Sequence, residues 1–216
     1  MTDGNLLYYE EASWRSGKEH IAGVDEAGRG PIAGPVMAAA VILPRGCDIS
    51  DINDSKLLTS DKRESLAARL LSMPGITTAV GSASVREIEQ LNILRATYLA
   101  MQRALEELAV KPDVVFIDGN RLPSIPYPAR TIVKGDRKSA TIAAASILAK
   151  VKRDEYMLEA DGQYPGYGFA GHKGYATAAH LQSLRELGPT PIHRKTFAPV
   201  AAICNGGYYQ PELFCC

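Results

Sequence analysis

Apolar residues along the chain fall into short runs divided by polar and glycine-rich punctuation, and the spacing within each run predicts its element. HIAGVDEAGRGP (20–31) is an apolar run closing on two acids and a glycine-rich turn. PVMAAAVILP (35–44) is a second run, rich in Val, Ile and Ala and bounded by prolines; both predict buried strands. Residues 76–83 (ITTAVGSA) predict a third strand, PDVVFID (112–118) a fourth that ends on an acid, and TIVKGD (131–136) a fifth. Helical spacing replaces strand spacing elsewhere. Ile88, Leu91, Leu94, Tyr98, Met101, Leu105 and Leu108 recur at steps of three and four, predicting one helix over 84–108 with a single apolar stripe. A helix to about Ser72 is expected after Ser60 as N-cap, with Arg63 where a capping box would place Glu. Residues 5–18 read as a short helix or arm, 137–160 as a helix of unusually small residues, and 161–174 as a Gly/Tyr/Pro loop. Residues 175–187 read as the last helix and 188–200 as an irregular basic segment.

The order is three strands, helix, strand, strand, helix. It predicts a mixed sheet with helices on its faces, an α/β fold, in one domain spanning 1–216.

Composition narrows the function classes. The chain has 216 residues, 46% hydrophobic and 22% charged, which suits a protein with a buried core. No run approaches the roughly 20 apolar residues of a membrane span, so no membrane partner is expected. The N-terminal stretch lacks the basic-then-apolar layout of a signal peptide, and the expected location is the cytoplasm. Cys47, Cys204, Cys215 and Cys216 lack metal-ligand spacing and read as reduced thiols. Net charge is zero but unevenly spread: residues 119–195 hold 12 Lys and Arg against 6 Asp and Glu, and the remainder 12 against 18. Such a division suits a protein that gathers cations at one place and phosphates at another, although chance gives the same pattern.

Four acids stand beside glycine at the ends of expected strands: Asp25 and Glu26 in GVDEAG, Asp118 in FIDGN and Asp136 in VKGD. An acid beside glycine can simply make a turn. Four ionised carboxylates at apolar strand ends, however, repel one another and need a counter-charge. An all-oxygen donor set suits Mg²⁺ or Mn²⁺, and nothing here resembles the Cys/His cluster of a zinc site. Asp25 and Glu26 are adjacent, so a continuing strand would point them to opposite faces; both reach one site only if the strand ends there. Gly28, Arg29 and Gly30 offer a backbone that a phosphate or sugar can approach closely, or else a plain turn with a solvated arginine. In YPGYGFAGHKGY (164–175), His172, Lys173 and Tyr175 are the candidates for substrate contact, whereas Tyr164, Tyr167 and Phe169 fit core packing equally well.

The blocks IAGVDEAGRGPIAGPVMAAAVILP, NDSKLLT, LNILRATYLAMQRAL, IDGN, VKGD, SATIAAASILAKVKRDEYM, GHKGY and HRKTFAPV, in this order from about residue 20 to 200, resemble bacterial ribonuclease HII. The resemblance implies a ribonuclease H-like fold, a five-stranded mixed sheet flanked by helices with a C-terminal helical and loop segment. It implies endonucleolytic cleavage of RNA in RNA–DNA hybrids and beside single ribonucleotides in duplex DNA, leaving 3′-hydroxyl and 5′-phosphate ends. It places the metal-site acids on Asp25, Glu26, Asp118 and Asp136, with Asp25 bridging two ions. It places the ribonucleotide-sensing turn on Gly28, Arg29 and Gly30, and the tyrosine that meets the sugar on Tyr175. Asp154 is a rival for the fourth acid, although beside Lys152 and Arg153 it is more simply an ion pair. A nucleic-acid partner and a monomer follow, with the basic stretch 119–195 holding the flanking backbone. Residues 1–19 and the tail from 201 lie outside the resemblance. The rival readings are a related-fold nuclease such as a junction resolvase or integrase-like core, and a hybrid-binding module without activity. A phosphotransferase lacks its phosphate loop.

Overall fold

The computed structural model describes residues 5–52 and 59–206. Its centre is β1 (Ile21–Ala27), flanked by β2 (Val36–Ile42) and β4 (Val114–Asp118), with β3 (Thr77–Ala83) and β5 (Ala129–Ile132) at the edges. The order is β3-β2-β1-β4-β5; the first three strands pair antiparallel, while β4 and β5 run parallel to β1. This is the expected five-stranded mixed sheet. The central strands β1, β2 and β4 read as near-continuous apolar runs because both their faces are covered.

One face carries α3 (Val85–Leu91) and α4 (Ile93–Glu106). Ala96, Ala100, Met101 and Leu105 of α4 pack on Ala22, Val24, Ala38 and Ile117. The other face carries α5 (Ala140–Gln163), preceded along the chain by α1 (Tyr8–Arg15) and α2 (Ser60–Ser72). Ala143, Ala144, Ile147 and Leu148 of α5 share a core with Ala39, Val41 and Leu43. The small residues of α5 let it lie against the sheet itself: a Cβ on Gly23 would run into the backbone of Thr141 and Ile142. The helix that follows the cleft is therefore held close to the strand that carries Asp25. Glu10 of α1, fully buried, anchors its start by accepting from the Thr141 N–H and from the Ser139 and Thr141 hydroxyls.

Several expected boundaries are corrected. The helix of 84–108 is two helices, broken at Asn92, which adopts φ 69° and caps α4 by accepting from the Leu94 and Arg95 N–H groups. Asn tolerates the left-handed region, and the apolar repeat continues across the break, which is why spacing conceals it. Ser84 and Glu87 form a full capping box on α3. Thr59, not Ser60, caps α2. The fifth strand begins at Ala129 and ends at Ile132. Lys134 then turns the chain at φ 56° into a 3₁₀ turn, Gly135–Arg137, so Asp136 sits in the lead-in to α5 and not at a strand end. The 161–174 loop loses its start to α5 and contains one helical turn, α6 (Phe169–His172). The helix expected over 175–187 is α7 (Ala178–Leu187), and it is not the last: α8 (Ala198–Cys204) follows. Residues 53–58 of NDSKLLT, the segment 207–216 and Cys215 and Cys216 lie outside the described residues. Cys47 and Cys204 are free thiols, and among the described residues no helix is long and apolar enough to cross a membrane.

Candidate active site

The ladder between the parallel strands β1 and β4 closes at Val24 opposite Ile117, and the next residues in step are Asp25 and Asp118. Both carboxylates thus stand where two neighbouring strands reach their carboxyl ends, the usual place for functional loops in such a sheet. Asp25 is 6% exposed, and the Ser146 hydroxyl of α5 bonds to it. The strand does not stop at Glu26, as expected, but runs through Ala27. Asp25 and Glu26 nevertheless act on one another electrostatically; Asp25 Oδ1 accepts the Glu26 N–H at 2.7 Å, and Arg29 Nη1 donates to Glu26 Oε1 at 3.0 Å.

The electrostatics report the same convergence. Burial raises the Asp25 pKa well above the usual carboxylate range, and the charges of Glu26 and Asp118 push it further. Burial also raises Glu26, against the pull of Arg29, with Asp118 adding to the rise. Three acids therefore share one field. Asp118 Oδ1 accepts the Gly135 N–H at 2.6 Å, which brings the turn bearing buried Asp136 alongside. Asp154 instead pairs with Lys150 along α5.

The Gly28–Gly30 turn is shaped from beneath by two buried guanidinium groups. Arg194 donates to the carbonyls of Gly28, Arg29, Pro31, Gly34 and Pro35, and Arg153 to those of Ala33, Pro35 and Lys173. Burial lowers both pKa values, Arg194 to about 9, which leaves Arg194 charged at neutral pH. Gly28 has φ 96°, and a Cβ there would collide with Arg153 and the Pro35 carbonyl, so the turn requires glycine. With carbonyls held on the protein side, the N–H groups of Gly28, Arg29 and Gly30 have no acceptor among the described residues. Unpaired amides in series make an anion-binding concavity.

Tyr175 faces this turn. It is 49% exposed, and its Cε1 lies 3.5 Å from where a Gly30 Cβ would stand. A cleft of about 410 Å³ is lined by Glu26, Gly28, Arg29, Gly30, Ser146 and Tyr175, and a second, of about 320 Å³, holds Asp118 and shares Glu26 and Arg29 with it. The turn and Tyr175 thus adjoin Glu26 and Asp118 across two hollows that share Glu26 and Arg29. His172 and Lys173, taken as substrate contacts, are placed elsewhere. The His172 ring nitrogens lie against the Tyr167 carbonyl and the Gly174 N–H, and Lys173 lines a separate hollow with Glu64 and Asp154. The position of His172 in a glycine-rich loop hides its bonds to that loop's own backbone.

Arg153, Arg194 and Ser146 were missed. Arg153 and Ser146 left a trace: with Ile142, Ala149, Met157 and Ala160 they occupy the buried stripe of α5, where a cation signals an internal partner. Arg194, in the basic run HRK, left none. Two of the twelve cations counted in 119–195 are consequently internal.

Among the described residues, no three carboxylate, imidazole or thiol groups form a ready-made metal cage. The donor set still fits a hard cation, since Mg²⁺ and Mn²⁺ take part of their shell from water and substrate phosphate.

A family model described as Ribonuclease HII matches residues 22–200. The chain belongs to the ribonuclease HII family. A ribonuclease HII of Myxococcus xanthus is 54% identical over 196 residues, covering 90% of this chain and 67% of that one. The Paracoccus denitrificans ribonuclease HII is 54% identical over 195 residues, 90% of this chain and 92% of its own. The crystal structure of ribonuclease H2 from Pyrococcus horikoshii aligns with TM-score 0.72 at 28% identity, over 87% of this chain and 98% of that chain. A Bst-RNase HIII solved in complex with Mn²⁺ shares the fold, with TM-score 0.67 at 19% identity, over 87% of this chain and 70% of its own. As a member of the ribonuclease HII family, this chain is a ribonuclease H hydrolase, an endonuclease acting on RNA–DNA hybrids.

Proposed function

We propose that the chain cuts on the 5′ side of single ribonucleotides in duplex DNA, as well as within hybrids, using two divalent ions. The observation that carries this reading is the mutual charge of Asp25, Glu26 and Asp118 at the edge of a cleft that also holds the glycine turn and Tyr175. Asp25, Glu26, Asp118 and Asp136 are the residues that would hold the ions. Bound there, Mg²⁺ or Mn²⁺ supplies Lewis-acid activation of water and charge neutralisation at the phosphate. The bound Mn²⁺ of the ribonuclease HIII is a property of that protein; here the support is the oxygen donor set.

The protein's own groups orient the substrate. Free amides of Gly28, Arg29 and Gly30 meet a phosphate and the ribose 2′-hydroxyl, the group that separates RNA from DNA. The Tyr175 ring packs on the same sugar. Arg29, which pairs with Glu26 at 3.0 Å, would also offer its charge to the substrate backbone. Surface cations of 119–195 hold the flanking DNA.

The test is a labelled DNA duplex with one embedded ribonucleotide, incubated with Mg²⁺, Mn²⁺ or a chelator. Cleavage is expected with either metal and none with chelator. Asp25→Asn loses roughly 10³-fold or more in rate. Because folding raises the Asp25 pKa, its ionised form opposes folding at neutral pH, and the variant melts higher in metal-free buffer. Cleavage by Asp25→Asn above about a tenth of the wild-type rate sinks the reading, as does an intact duplex that only a branched junction replaces as substrate.

A further inference from the structure

The histidines of the C-terminal third lie together beneath Tyr175. We propose that His193 and His180 are positioning residues: they form a directional relay of neutral imidazoles that fixes Tyr175 and thereby sets the preference for a single ribonucleotide. The inference rests on the ribose-sensing role given to Tyr175 above.

The direction follows from the two ends of the chain of bonds. The Thr190 N–H lies 3.0 Å from His193 Nδ1, and a backbone amide can only donate, so Nδ1 carries the lone pair. In the neutral ring the proton is then on Nε2, which faces His180 Nε2 at 3.0 Å and donates to it. His180 therefore carries its proton on Nδ1, 2.8 Å from the Tyr175 carbonyl, which can only accept. Each nitrogen has one role, and both roles agree with the fixed groups at the ends. An additional proton on His180 would set two N–H groups against each other, and one on His193 Nδ1 would oppose the Thr190 N–H, leaving only the Thr190 hydroxyl, at 2.8 Å, to accept it.

The surroundings enforce neutrality. His180 is fully buried and His193 1% exposed. The His172 ring stacks on His180 at 4.1 Å, with Phe169 packed against all three imidazoles and Tyr167 against His193. His172 is itself held in one tautomer, with Nδ1 accepting from the Gly174 N–H. No carboxylate is bonded to either relay ring among the described residues. Burial, then neighbouring imidazoles, pulls His180 and His193 down to about 4.

The relay ends on the residue that matters. The Tyr175 carbonyl is held by the His180 ring and the Thr177 N–H, while the half-exposed Tyr175 ring lies beside Gly30. At the other end, His193 bridges to Ala33, and the next residue, Arg194, holds the carbonyls beneath the Gly28–Gly30 turn. The dipeptide His193-Arg194 thus ties both halves of the sensor to one another. A sensing pair is useful only if its parts are fixed to within about half an ångström, which is what such support provides.

The experiment compares kcat/KM on a duplex with one ribonucleotide and on a long RNA–DNA hybrid, at fixed Mg²⁺ and salt. His180→Phe keeps the stacked ring but loses both nitrogens. It is expected to lose about tenfold on the single ribonucleotide, the scale of one displaced ring contact, and under about twofold on the hybrid. His180→Gln, which retains one donor and one acceptor, recovers most of the loss. Equal losses on both substrates, or none, overturn the relay's role while the wild type still cuts the single ribonucleotide. A wild type that cuts only the hybrid removes the ribose-sensing reading itself, and this role with it. Should His180→Phe fail to fold, ring-nitrogen NMR of the ¹⁵N-labelled wild type decides. The relay requires an Nδ1–H tautomer in His180 and Nε2–H in His193, unchanged from pH 8 to pH 5. A reversed tautomer, or either ring titrating near the ordinary histidine value, contradicts it.

Discussion

The two halves of the cleft are built in different ways. The acidic half grows directly out of the sheet: Asp25 and Asp118 extend a parallel ladder by one step, and α5 backs Asp25 with Ser146. The sensing half has no regular structure of its own beyond one helical turn. Its glycine turn is suspended on Arg153 and Arg194, and its tyrosine on His180 and His193. The acids gain rigidity from hydrogen-bonded strands and repel one another; the turn and the tyrosine gain it from buried donors, and although Arg153 and Arg194 also repel, each is bonded to backbone carbonyls. In the function proposed above an ion would relieve the repulsion of the first half, while buried donors fix the shape of the second. Chemistry and recognition can consequently be damaged separately.

The strongest way to break the contrast is Arg194→Met. It removes the Arg194 donor from the carbonyls of Gly28, Arg29, Pro31 and Gly34, while Pro35 keeps Arg153; each group orphaned in this buried or part-buried setting costs about 1–3 kcal/mol before water or relaxation recovers part of it. A net loss of about 4 kcal/mol in denaturant unfolding is expected, in line with the removal of one member of a buried charged network. Arg194→Lys restores the charge without the planar fork and recovers less than half of it. A loss under about 1 kcal/mol would show that the cradle is not what holds the turn.

A smaller effect sharpens the comparison inside the turn. Gly28→Ala forces a side chain into a left-handed conformation and against Arg153, and is expected to cost about 1–2 kcal/mol from conformation alone. Gly30→Ala meets only the Tyr175 ring at ordinary contact distance, so stability should change by less than about 0.5 kcal/mol. Its added methyl nevertheless occupies the space between the turn and the tyrosine, and cleavage at a single ribonucleotide should fall. Matching stability losses for the two variants would count against the suspended-turn description.

The same contrast explains what the sequence disclosed. Asp25, Glu26 and Asp118 were legible because an apolar strand that ends on an acid is a local pattern. Asp136 was legible as a residue but not as a position, since the left-handed Lys134 that ends β5 early has no distinctive spacing. The break at Asn92 was masked by an apolar repeat that runs straight through it. Arg153 could have been found from its place on the buried stripe of α5. Arg194 could not: its acceptors lie about 160 residues earlier in the chain, and a basic run reads as solvated surface. His172 stands out by its motif, whereas the ring bonded to the Tyr175 carbonyl is His180, backed by His193. Local patterns reveal chemistry at strand ends; support assembled between distant segments stays hidden until the fold brings it together.

The central claim, that one half of the cleft cuts and the other chooses, is tested most directly by a single ratio. Initial rates on a single-ribonucleotide duplex and on a long hybrid are measured for wild type, Asp118→Asn and Tyr175→Ala at fixed Mg²⁺ and salt. Asp118→Asn should lose roughly 10³-fold on both substrates and leave their ratio unchanged. Tyr175→Ala should keep most activity on the hybrid and lose about tenfold or more on the single ribonucleotide. An Asp118→Asn protein with an altered ratio, or a Tyr175→Ala protein with the wild-type ratio, would contradict the account.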